Sequence, residues 1–214
     1  MASSEQVRSH AIPHFPQLAE FEQDLRDVPG RWLPQIERTL KWADRWLTAW
    51  NDHDLDSLTT LVAPDLVWAD PVMAGEYVHG RDEFRAYIET FWRGFPDITF
   101  HPTANPFIGI GGLRMAVPWR MTGTLTGPLA WWGKRYGDNP PTWAPTNRRA
   151  DIEGYDIYQF RDGVLAHYTI VADFLTLSQQ LGLMPPTDGP VTRVMLKVQQ
   201  LTAPLARRRA AKQR

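Results

Sequence analysis

The 214-residue sequence contains no cysteine. Disulfides, thiol nucleophiles and thiolate metal sites are therefore excluded. It also lacks any apolar run near the roughly 20 residues needed to cross a bilayer. The opening MASSEQVRSHAIPHF has no charged start followed by a continuous apolar stretch, so it does not read as a secretory signal. The expectation is a cytoplasmic protein with no membrane partner. Acid is missing from the C-terminal end: from Gly189 onward there are seven Lys or Arg and no Asp or Glu. Sixteen basic and 24 acidic residues precede that tail, a net of −8. A basic block so confined reads as a solvated helix end, and no nucleic-acid contact is expected. His53, His79 and His101 are too scattered for a metal site.

What is present is apolar and aromatic. Hydrophobic residues make up 43% of the chain, ten of them Trp. So many rings in a chain of this size point to a large core or a ring-lined pocket. Residues 1–34 are interrupted by Pro13, Pro16, Pro29 and Pro34 and read as an N-terminal extension. Residues 35–186 read as one domain, and 187–214 as a basic helical extension weakened at Pro204.

Within the domain, Ile36, Leu40, Ala43, Leu47 and Trp50 recur at three-four spacing, which predicts an amphipathic helix to about Asn51. Asp54 or Asp56 can cap a short second helix through Leu61. LVWADP reads as a strand stopped by Pro71. GRDEFRAYIETFWRGF reads as a third helix, with Phe84, Tyr87, Ile88 and Phe91 on one face. Four strands follow Pro96, with turn signals at Gly111-Gly112 and Asp162-Gly163. The stretch from Pro128 to Thr146 reads as a lid between strands. FLTLSQQLGLMPP closes the domain as a helix ended by Gly182. Helices first and strands later predict an α+β fold, with helices on one face of a curved, mainly antiparallel sheet.

The segment PTNRRADIEGYDIYQFRDGVLAHYTIVAD carries Asp151, Glu153, Asp156, His167 and Asp173 within a sheet-like alternation. Strand parity puts Asp151, Glu153 and Tyr155 on one face and Asp156 on the other, so Asp151 and Asp156 do not both enter a cavity on a regular strand.

WLTAWNDHDLDSLTTLVAPDLVWADP, FPDITF, TGTLTG, FRDGVLAHY and QLGLMPP resemble, in this order, motifs of SnoaL-like polyketide cyclases. The resemblance spans about residues 36–186. It implies the nuclear transport factor 2-like cone: three helices against a strongly bent sheet, with an apolar cavity between. Matching PTNRRAD to the family's strand implies Asp151 as general base. The family's His falls on Leu125. A second match, to the ketosteroid isomerases of the same superfamily, puts the base at Asp70, the oxyanion-hole acid at Asp156 and the oxyanion Tyr at Trp46.

The resulting expectation is a cofactor-independent enzyme performing carbon-acid proton transfer: aldol-type cyclisation, isomerisation or dehydration of a hydrophobic, cyclic, oxygenated small molecule. Asp151 is the preferred base and Asp70 the second, with His167 as a catalytic helper. Trp46, Trp50, Trp119, Arg120, Leu125 and Tyr155 are the expected substrate-binding residues. Two alternatives stay open: a limonene-type epoxide hydrolase, for which PWRM supplies the Arg, and a non-catalytic binding or assembly module. A homodimer through the convex side of the sheet is expected, because the strands carry apolar residues of both parities.

Overall fold

The structure is a computed structural model describing residues 26, 28–70 and 76–211. Most of the expected N-terminal extension, and the expected stop at Pro71, lie outside the described residues.

Helix α1 (Leu33–Asn51) starts with proline in its first turn, where a missing N–H costs nothing. Trp42, Trp46 and Trp50, each four residues on from the last, are buried along one stripe. At its end Asn51 exchanges two hydrogen bonds with the Phe100 backbone, 2.9 and 3.0 Å, which ties the helix to the sheet. Asp54 caps α2 (Leu55–Thr60) by accepting from the Ser57 N–H at 2.9 Å. In α3 (Gly80–Gly94), Phe84, Tyr87, Ile88 and Phe91 face inward as their spacing predicts. Its first turn is closed by Glu83, which accepts from the His79 N–H at 2.9 Å.

Nine strands are described. They are β1 (Val62–Ala69), β2 (Val78–His79), β3 (Thr99–Pro102), β4 (Phe107–Ile108), β5 (Arg114–Thr124), β6 (Leu129–Ala130), β7 (Thr142–Trp143), β8 (Arg149–Arg161) and β9 (Val164–Ala172). The main sheet runs β2-β1-β9-β8-β5-β3, with β4 also paired to β5. All pairings are antiparallel except β1 with β9. The mainly antiparallel expectation therefore holds, and the first of the four expected later strands is divided into β3 and β4. The β8–β9 hairpin turns at Asp162 and Gly163, both at positive φ (53° and 80°). The Pro128–Thr146 stretch contains its own small sheet, β6 with β7. Helix α4 (Phe174–Gln180) is capped by Asp173, which accepts from the Thr176 N–H at 2.9 Å. Helix α5 (Pro190–Ala211) continues past Pro204 rather than ending there.

The core lies between α1, α3 and the inner face of the sheet. Along β8 the burial alternates without a break: Ala150, Ile152, Gly154, Asp156, Tyr158 and Phe160 are inside. Gly154 is required by a close approach. A Cβ there would sit 2.5 Å from the Trp119 ring, so the small residue makes room for that indole.

Candidate active site

A cavity of about 50 Å³ opens between α1, α3 and the inner strands. Its wall is almost wholly apolar and aromatic, including Trp46, Trp50, Trp68, Phe91, Phe100 and Trp119. Two carboxylates, Asp70 and Asp156, and three phenols, Tyr87, Tyr158 and Tyr168, complete it. Both acids are only 6% exposed.

Each polar group arrives by a simple local rule. Trp68 on β1 and Asp70, the residue just past its end, are alternate residues, and both are buried with Leu66. Asp156 and Tyr158 are alternate inward residues of β8. Tyr87 sits on the buried stripe of α3. Tyr168 depends on an irregularity. Phe160 pairs with Leu165, but the preceding Gln159 pairs with His167, so β9 holds one extra residue, Ala166. This bulge reverses the parity of β9. It turns Tyr168 inward, where its ring stacks on Trp68 with centroids 3.6 Å apart, and leaves His167 exposed outside.

Hydrogen bonds pair acids with phenols. The Tyr87 hydroxyl donates to Asp70 Oδ2. The Tyr158 hydroxyl donates to Asp156 Oδ2 at 2.7 Å. Asp156 Oδ1 is buried and has no partner at bonding distance, although the Tyr168 hydroxyl and the Trp119 N–H lie close enough to favour its charged form. The indole N–H groups of Trp68 and Trp119 are likewise buried without a full hydrogen bond.

The electrostatics follow from this packing. Burial pushes the Asp156 carboxyl up to about 6, against the opposing pull of Tyr168, Tyr158 and Trp119, and the charge of Asp70 adds to the rise. Burial also holds Tyr87, Tyr158 and Tyr168 well above the ordinary phenol range. The Asp70 charge adds to this at Tyr87, and the Asp156 charge at Tyr158 and Tyr168. The phenols are therefore neutral donors. Asp156 is thus a buried cavity-wall carboxyl pushed up to about 6, with Oδ1 outside any full hydrogen bond.

The sequence-derived candidates divide between two faces. Trp46, Trp50, Trp119 and Asp70 line the cavity. Asp151 does not. Its strand parity sends it to the outer face, where Arg120 holds it in two 2.6 Å hydrogen bonds. That pairing keeps the Asp151 carboxyl below the usual carboxylate range, the reverse of what an activated base needs. Arg120 is thereby also outside. Tyr155 is 48% exposed on the same outer face, and His167 follows the bulge there. Leu125 is fully buried just beyond β5, but against Gly94 of α3 rather than at the cavity. Tyr87, Tyr158 and Tyr168 were not singled out from sequence. For Tyr158 the signal was available, since it shares the inward parity of Asp156. For Tyr168 it was not, because the bulge has no local sequence mark. Among the described residues, no group of His, Asp or Glu is placed to hold a metal ion.

The fold recurs in solved structures at low sequence identity. A candidate SnoaL-like polyketide cyclase from Jannaschia sp. CCS1 aligns with a TM-score of 0.56 at 17% identity, covering 71% of this chain and 96% of the other. AclR from Streptomyces galilaeus, a candidate hydroxylase, aligns at 0.54 and 20% identity, covering 81% and 98%. TsrD from Streptomyces laurentii aligns at 0.54 and 22%, covering 69% and 97%. These likenesses carry the nuclear transport factor 2-like fold alone. Among curated proteins, no sequence match was found. The SnoaL-like domain family, however, matches residues 43–168, more than half of the sequence, from within α1 to the middle of β9. The chain belongs to the SnoaL-like domain family.

Proposed function

We propose that the protein is a cofactor-independent enzyme that moves a proton on an activated carbon of an apolar, oxygenated small molecule, in a cyclisation, isomerisation or dehydration. One observation carries this reading. Asp156 is buried in an aromatic cavity, has one oxygen without a hydrogen bond, and is pushed up to about 6. A carbon next to a carbonyl gives up its proton slowly, and a desolvated carboxylate near the working pH is the base that suits it. In this reading Asp156 Oδ1 takes the proton. The charge that develops on the substrate oxygen meets the Trp68 and Trp119 N–H groups, donors buried on the same wall without a full hydrogen bond. Tyr158 holds the Asp156 carboxylate in place, and Asp70 with Tyr87 forms the second acid–phenol pair.

The epoxide-hydrolase alternative needs an arginine among its acids. Arg120 and Asp151 are paired on the outer face, and among the described residues no arginine lines the cavity. The binding-module alternative is favoured by the cavity's size: about 50 Å³ is far below the roughly 300 Å³ or more of ordinary ligand pockets. A catalytic cycle must therefore begin with the cavity widening around its substrate. A homodimer through the outer sheet face belongs to the same proposal.

The test is solvent exchange. A panel of small cyclic ketones is incubated with the protein in deuterated water and read by mass spectrometry. Deuterium entering next to a carbonyl with the native protein, and not with Asp156→Asn, supports the enzyme reading. No incorporation into any ketone favours the binding module.

A further inference from the structure

Helix α5 is 22 residues long, and its side chains are left out of the core. Val191, Val194, Met195, Val198 and Leu201 are between 54% and 79% exposed. At about 100° per residue these five fall within an arc of about 120°. Arg193 and Arg207 lie on the opposite side of the helix, Lys197 flanks the stripe beside Leu201, and no acid occurs anywhere beyond Gly189. The helix is thus basic and amphipathic, and among the described residues its apolar stripe is left exposed.

We propose that α5 lies on an anionic lipid surface, with the stripe at the acyl boundary and the basic residues among the headgroups. Charge and the apolar stripe together favour one occupant. Pairing α5 with α5 of a second copy brings two wholly basic tails together. The outer sheet face of a second copy does not complement it either, since its Arg114, Arg120, Arg149 and Arg161 outnumber Asp65, Asp151 and Glu153, and two of those acids are already paired with Arg161 and Arg120. A nucleic acid would satisfy the charge but leave the stripe in water. An anionic bilayer surface satisfies both, and long basic side chains can reach headgroups from a helix lying in the plane. No described helix is long and apolar enough to cross a membrane, so the association is with the surface alone.

The experiment is co-sedimentation of the full chain with vesicles of phosphatidylcholine alone and of phosphatidylcholine mixed with phosphatidylglycerol. Binding is expected only to the anionic vesicles. It is expected to weaken by about tenfold or more in the double variant V194Q/V198Q, and far less in L196Q, which lies off the stripe. Three results overturn the proposal. One is no binding of the native chain to anionic vesicles. Another is equal binding by V194Q/V198Q, which would leave only nonspecific charge attraction. The third is a change in oligomeric mass on V194Q/V198Q, with lipid binding untouched, which would assign the stripe to a second copy.

Discussion

Asp151 and Asp156 stand five residues apart on β8 and face opposite sides of the sheet. The first pairs with Arg120 in solvent, and the second is sealed in an aromatic cavity with Tyr158. One strand thus lowers one carboxyl pKa and raises the other. The two acids should answer mutation in opposite ways.

Asp156→Asn should abolish turnover yet stabilise the fold at neutral pH. Below about pH 4 the Asp156 carboxyl is protonated folded or unfolded and costs nothing. As pH rises from there through about 6, the unfolded chain releases the proton first, so ionisation favours unfolding. Above about 6 the full cost is present, about 3 kcal/mol for a shift of this size. Thermal melts of native and Asp156→Asn protein from pH 4 to 8 check this. The variant's advantage should grow with pH and vanish near pH 4.

Asp151→Asn should leave turnover intact. The Arg120–Asp151 pair is half exposed, and exposed ion pairs contribute little to stability. Its melting temperature should shift by little in either direction, and less in high salt. A large loss of rate in a folded Asp151→Asn protein would return the base to the outer face.

Tyr158→Phe removes the 2.7 Å donor to Asp156. That donor favours the charged carboxylate, so its loss should move the acid limb of the rate profile upward in pH. The stability cost should be about 1 kcal/mol, the ordinary worth of one hydrogen bond. Rate against pH for the two proteins gives the direction of the shift.

Gly154→Ala should damage the site without touching its acids. The added Cβ meets the Trp119 ring at 2.5 Å and the Val171 carbonyl at 2.8 Å. Overpacking of this kind costs about 1–3 kcal/mol and drives the indole into the cavity. Turnover should fall while Asp156 still titrates, which separates positioning from acid–base chemistry.

Most of the fold was legible in the sequence because its periodicities are strong. The Ile36, Leu40, Ala43, Leu47, Trp50 stripe and the Phe84, Tyr87, Ile88, Phe91 face are read at three-four spacing and are buried as such. The site was legible only in part. Parity alone separates Asp156 from Asp151, and Asp156 is the one charge on an otherwise apolar inner row of β8. The pull of PTNRRAD toward a family motif outweighed that row. His167 was misplaced for a different reason: one extra residue in β9, Ala166, reverses the strand, and register irregularities arise from pairing rather than from local sequence. Leu125 was placed by alignment; it is fully buried beside Gly94 and does not line the cavity.

The outer face offers a check on assembly. Tyr155, Ile157 and Val171 form an exposed apolar group in register across β8 and β9. Sedimentation should give twice the chain mass for the native protein and the single mass for Tyr155→Arg. A native monomer at micromolar concentration would contradict the dimer.

The most direct measurement needs no substrate. Carbon-13 spectra of the aspartate carboxyls, taken from pH 3 to 8, follow each group's titration. One carboxyl should have its midpoint near 6, absent from Asp156→Asn and unchanged in Asp151→Asn. A raised midpoint that survives in Asp156→Asn, or an Asp156 that titrates in the ordinary range near 4, would contradict the account.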